Sequence, residues 1–231
     1  MKKSVKIIVE IVLLLVCILL VNLIVGSIMK PVNFNKQKAF RESVAVQRLK
    51  DIRTLQVAYK SVNGKFTSTV DSLKDFYNNG KMEIVMQVGS MDDSLAVAHT
   101  EKVKRAARKK MKGEDFLKLY EAGDKNLVFS VETQIAVKDT LFTHREDFCI
   151  DSLEFIPFSG KQPVIMEAIV KTVSGVPVPL FEAKMPYKAL LKGLDNQLRI
   201  NLDAEKRDQN RYEGLQVGSV TAPNNNAGNW E

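Results

Sequence analysis

The sequence predicts an α+β protein: a long N-terminal transmembrane-plus-amphipathic helix, then a mainly antiparallel β-sheet domain with short helices. Three observations predict it. The stretch from Ile7 to Met29 is apolar apart from Glu10, Asn22, Gly26 and Ser27. Behind it, apolar residues recur at spacings of three and four as far as Asn63. From Asn126 onwards the pattern turns to alternation, with Leu127, Phe129 and Val131 and then Ile135 and Val137.

The first stretch is long enough to cross a bilayer, since about 20 apolar residues span a hydrocarbon core of about 30 Å. Lys2, Lys3 and Lys6 precede it and Lys30 closes it. A removable signal would share the basic start, with Val25-Gly26-Ser27 as its cleavage site. The apolar run exceeds the roughly 7–15 residues of such a signal core, so a retained anchor is the expectation. Cys17 lies inside the run and Cys149 far along the chain, so no intrachain disulfide is expected. The chain of 231 residues carries +7, with +3 in its first 30 residues. Basic residues flank the apolar run on both sides, so charge alone leaves its orientation open.

Five segments follow from these patterns: residues 1–30 as membrane anchor, 31–64 as amphipathic helix continuing the spine, 65–123 as a helical and mixed region, 124–220 as the antiparallel β-rich domain, and 221–231 as a polar tail. In the spine, Ala45, Leu49, Ile52, Leu55 and Tyr59 share one apolar face, the predicted packing face, and Asn63-Gly64 ends the helix. Short helices are expected near Val70 to Asn79, Ser90 to Met111, Glu114 to Glu121 and Tyr187 to Leu194. Strands are expected near Lys81 to Val88, Leu127 to Val137, Ser152 to Phe158, Val164 to Val173, Val176 to Phe181 and Gln197 to Leu202. Pro177 and Pro179 assign the strand that holds them to a sheet edge or an extended connection. The tail reads as either disordered or an ordered loop pinned by Trp230.

Candidate sites are few. Glu10 is one ionisable group inside an apolar run, a costly placement that points to pairing within the membrane. Lys102, Lys104, Arg105, Arg108, Lys109, Lys110 and Lys112 form a basic stretch that could meet an anionic surface, against the commoner outcome of a solvated face. No aromatic lies between Leu95 and Glu114, which leaves no stacking platform for single-stranded nucleic acid. His144 and Cys149 are close in sequence, but a nucleophile also needs an orienting third group. With no phosphate-cradling loop, Cys-x-x-Cys or His-Glu-x-x-His, neither enzyme nor cofactor is expected, nor a metal site.

The run from Leu49 to Phe66 resembles the helix-to-loop transition of type IV pilin-like proteins, notably the pseudopilins of type II secretion. The matching positions are Ile52, Leu55, Tyr59, Asn63, Gly64 and Phe66, with Leu73 opening the next helix. The resemblance covers about the first 75 residues. It implies a structural subunit of an envelope assembly or secretion apparatus, held in the inner membrane with its soluble domain periplasmic or extracellular. It also implies that Glu10 pairs with the N-terminal amine of a neighbouring subunit. Prepilins carry a Gly before their processing site, whereas this chain has Ser4-Val5-Lys6 there, which leaves open whether its start is processed and whether Glu10 finds a freed amine. Membrane lipid and further copies of the chain, or other envelope proteins, are the expected partners. The alternative is a single-pass protein that binds a ligand or partner without forming a filament, and a membrane-bound hydrolase using His144 or Cys149 ranks third.

Overall fold

In the computed structural model, which describes residues 3–107 and 109–231, with side chains from Glu10 onwards, the spine is one unbroken helix, α1 (Lys3–Asn63). Pro31 lies inside it. Proline removes one N–H from the helical ladder, a loss a long helix absorbs where its surroundings re-satisfy the freed carbonyl. The helix stops where expected: Gly64 adopts φ +71° and its N–H bonds back to Lys60 O at 2.8 Å.

The chain divides into two compact units. One comprises residues 1–54 and 151–231, the other residues 55–150. This partition differs from the segments expected from composition, because residues 124–150 belong with the helical middle. The reason is strand pairing: β1 (Lys81–Val88) and β2 (Phe129–Ala136) form a two-stranded antiparallel sheet, in register from Lys81 opposite Ala136 to Val88 opposite Phe129.

In this second unit, α2 (Val70–Asn79) buries Leu73 and Phe76. Helix α3 (Ser94–Ala106) is capped by Asp93, whose carboxylate accepts from the amides of Leu95 and Ala96, both at 3.1 Å. It is shorter at both ends than the expected helix from Ser90 to Met111, because Asp93 caps it late and Ala107 is extended at φ −74°, ψ 131°. Helix α4 (Gly113–Glu121) sets Phe116 in a core with Leu127, Phe129 and Val131. A second core joins Ala58, Phe76 and Val137.

The first unit holds a three-stranded antiparallel sheet in the order β3–β4–β5: β3 (Ile165–Val173), β4 (Val176–Pro186) and β5 (Gly214–Gly218). Strand β4 is central, not the edge that its prolines suggested. Pro177 and Pro179 pair with β3 through Thr172 and Val170, whereas β5 pairs only with Glu182 to Pro186. The prolines thus occupy the half of β4 with one neighbour, where a missing donor costs no ladder bond. Helix α5 (Tyr187–Leu190) is a single turn, shorter than the helix expected to Leu194.

Two expected strands are absent. Residues from Ile150 to Glu154 form a 3₁₀ turn, and Phe155 makes one bridge with Pro163. Residues from Gln197 to Leu202 lie in helix α6 (Asn196–Asp208). Asp195 caps it, accepting from Leu198 N at 3.1 Å, and Arg199 pairs with Asp203 one turn on. Local capping therefore outweighs the alternation of Leu198, Ile200 and Leu202. The tail is ordered on β5: Gly218 N bonds Ala227 O at 3.0 Å and Asn229 N bonds Gln216 O at 3.0 Å.

Candidate functional site: the N-terminal helix and the surfaces around it

From Glu10 to Lys30 the helix is exposed on every side, with only Gly26 half-buried. Leu13, Leu19 and Leu23 are 63%, 59% and 62% exposed, so none of this apolar cylinder is covered by the described chain. Such a surface is unstable in water and needs lipid or neighbouring helices. It is one helix long and apolar enough to cross a membrane, consistent with single-pass anchoring. Asn22 satisfies itself by donating to Ile18 O at 3.0 Å. Glu10 is exposed on the same cylinder.

The first buried residue beyond Lys30 is Phe34, 7% exposed. From there the helix is gripped by its own unit. The Arg41 guanidinium donates to the carbonyls of Leu190 (3.0 Å) and Lys192 (2.8 Å). Tyr187 donates to Glu42 at 2.6 Å. Burial, reinforced by this hydrogen bond to a carboxylate, pushes the Tyr187 phenol well above its ordinary range. Arg48 reaches the Phe155 carbonyl. Ala45, Leu49 and Ile52 have no exposed surface, and Asp51 is buried beside Gln47.

Of the predicted packing face, Leu55 is likewise fully buried, and Tyr59 lies edge-on to Phe76 at 5.3 Å. The face is thus filled by this chain itself.

The basic stretch is not one helical face. It is interrupted at Ala107, and Arg108 lies outside the described residues. Lys104 pairs with Glu101 at 2.8 Å and Lys109 with Asp115 at 3.5 Å. Hydrogen bonding from Lys104 holds the Glu101 carboxyl below its usual range, and the Lys112 amide does the same for Asp115. Lys102, Arg105, Lys110 and Lys112 are exposed. Solvent-exposed ion pairs of this kind are weak, and they answer part of the charge within the unit. His144 and Cys149 are both exposed, and His99 contacts Asp124 at 2.8 Å.

One feature escaped the sequence reading. A cleft of about 580 Å³ lies beside α6, lined by Arg199, Asp203, Arg207, Tyr212 and Glu213 among others. Asp203 is 7% exposed, and its Oδ1 has no hydrogen-bond partner among the described residues. Burial pushes its carboxyl up, Arg199 opposes this, and Glu213 adds to the rise. Burial also pushes the Tyr212 phenol up to about 12. The signal was present as Arg199, Asp203 and Arg207, spaced by four, but a strand expected over Gln197 to Leu202 stops before Asp203 and so does not join the three on one element.

No family model, curated protein or solved structure matches the chain.

Proposed function

We propose that this protein is a membrane-anchored, non-enzymatic structural subunit of an envelope assembly or secretion apparatus, pilin-like in build. The observation that carries the reading is the continuity of α1. One helix runs from an uncovered apolar cylinder into a segment whose Ala45–Leu49–Ile52 face is fully buried. A helix joined this way couples lateral packing in the bilayer to the placement of its folded unit, which suits a repeating subunit better than a flexible tether would. On this reading the inner membrane holds the apolar cylinder, and the soluble part faces the periplasm or the exterior.

Glu10 supplies the specificity of association. A carboxylate at that depth is stabilised by a cationic partner, such as the N-terminal amine or a lysine of a neighbouring helix. The test is cross-linking of membrane-embedded protein carrying Glu10→Gln. Loss of the multimer ladder, with unchanged membrane content, is the expected result. An unaltered ladder would sink the assembly role.

The α6 cleft favours a second reading, a single-pass binding protein. Its buried, unpartnered Asp203 acceptor beside two arginines suits a small ligand bearing both a donor and an anionic group. Retained envelope phenotype in Glu10→Gln, with loss in Asp203→Asn, would select it.

A further inference from the structure

The turn at residues 157–162 is built to hold an aromatic and a lysine outward. Three of its residues lie in the left-handed region: Phe158 at φ +61°, Gly160 at +75° and Lys161 at +67°. That conformation is a strained one for a bulky side chain, so it persists only where the surroundings impose it. They do so through Ser159, which is fully buried. Its hydroxyl donates to Ile156 O at 2.7 Å and accepts from Gln162 N at 2.9 Å, while Lys192 Nζ donates to its carbonyl at 3.2 Å. The product is a rigid tip with Phe158 44% exposed and Lys161 exposed.

This tip stands against α1 just beyond the apolar run. The Phe158 ring lies 5.9 Å from that of Phe40, and the Arg41 guanidinium sits 5.0 Å over it. Phe40 is itself 59% exposed. Met29, Asn33, Lys36 and Phe40 follow one another at spacings of four, three and four, one exposed stripe of the helix leading down to the apolar run.

The vertical distances bring this stripe to the outer surface of the headgroup layer. At 1.5 Å per residue, Phe34 lies only about 6 Å beyond Lys30, so protein already covers the helix there. Headgroups occupy about 5–7 Å on each side of the hydrocarbon core. The 23 residues from Ile7 to Met29 measure about 34 Å, against a core of about 30 Å, a mismatch that a tilt of about 30° absorbs. Phe40 lies ten residues, about 15 Å, beyond Lys30, a height that this tilt cuts to about 13 Å, and tilt toward the Phe40 stripe lowers that side further, onto the outer edge of the headgroups.

We propose that Phe40, Phe158, Lys36 and Lys161 form an interfacial foot that seats this unit on anionic phospholipid headgroups and sets the tilt of the span. The foot rests on the reading that Ile7 to Met29 crosses the bilayer. Exposed aromatics favour the membrane interface, and the lysines match lipid phosphates in sign. Rigidity matters because a preformed tip orients the whole unit, whereas a mobile loop would only tether it.

The test uses full-length protein in vesicles of phosphatidylglycerol or phosphatidylcholine brominated near the top of the acyl chains. The chain has one tryptophan, so Trp230→Phe clears the background and Phe158→Trp or Leu20→Trp reports position. Trp at 158 is expected to lose about a tenth of its emission in brominated phosphatidylglycerol and much less in phosphatidylcholine. Lys36→Glu with Lys161→Glu is expected to abolish the difference. Quenching at 20 without quenching at 158 overturns the foot and leaves the span intact. Absence of quenching at both positions overturns the span, and the foot with it. Equal quenching at 158 in both lipids, unchanged by charge reversal, overturns the anionic assignment. Should the tryptophan variant fold poorly, a nitroxide on Phe158→Cys, with Cys17 and Cys149 replaced by Ser, reads the same depth by oxygen accessibility.

Discussion

Gln56 is fully buried in α1 and closes the loop that follows the helix. Its Nε2 donates to Thr67 O at 2.6 Å and its Oε1 accepts from Thr67 N at 3.1 Å. One side chain thereby satisfies both backbone groups of a residue eleven positions away. Gln56→Met keeps a straight side chain of similar volume and orphans both groups. A buried orphan costs about 1–3 kcal/mol, and Thr67 is half-buried, so water recovers part of that; the sum is about 2–4 kcal/mol. At about 1.4 kcal/mol per decade, the slow amides of β1 and β2 should exchange roughly 30- to 1000-fold faster. Hydrogen exchange with mass spectrometry on detergent-solubilised full chain reads this directly. Gln56→Glu adds a second arm. Its carboxylate retains an acceptor for Thr67 N but presents charge to Thr67 O, whereas the protonated carboxyl can donate there. Exchange in Gln56→Glu should therefore slow toward wild type, relative to Gln56→Met at the same pH, as pH falls through the carboxyl range. Acceleration below threefold in Gln56→Met, or a Gln56→Glu effect indifferent to pH, would refute the reasoning.

Leu49→Ala removes a side chain with no exposed surface and should destabilise the first unit by about 2–5 kcal/mol in urea unfolding, with Leu49→Met costing less than about 1.5 kcal/mol. Asp203 supplies a pH signature. Its carboxyl is raised in the fold, so its contribution is fully present below the unfolded pKa and is lost as pH rises through the folded one. Asp203→Asn cannot ionise, and its melting temperature relative to wild type should climb across that window. A difference that shrinks with rising pH would contradict the assignment.

Much of the spine could be read from residue order alone. The apolar run, the three-and-four spacing after it, and Asn63-Gly64 are local signals, and α1 follows them to its last residue. Helix α2 and strands β1 and β3 emerged close to their expected limits for the same reason. The misses share a cause. Leu198, Ile200 and Leu202 alternate like a strand, yet the Asp195 cap and the Arg199–Asp203 pair stabilise a helix. Strand β5 is five residues long between two glycines, too short to carry a period, and exists because β4 pairs with it. The cleft beside α6 was hidden by that same strand assignment, and the 157–162 turn by the strand expected to reach Phe158.

What the sequence by itself determined is an apolar helix long enough to cross a membrane, the helical spine and the α+β class, since each rests on a local pattern that one element displays alone. Glu10 was conspicuous in the same way, a charge amid apolar neighbours. Tertiary structure decided what those faces meet. Buried Ala45, Leu49 and Ile52 show that the packing stripe serves this chain's own interior, and β1–β2 pairing moved residues 124–150 into the second unit. Pairing and burial depend on partners distant in sequence, and no local pattern specifies which of several competent apolar surfaces a helix will choose.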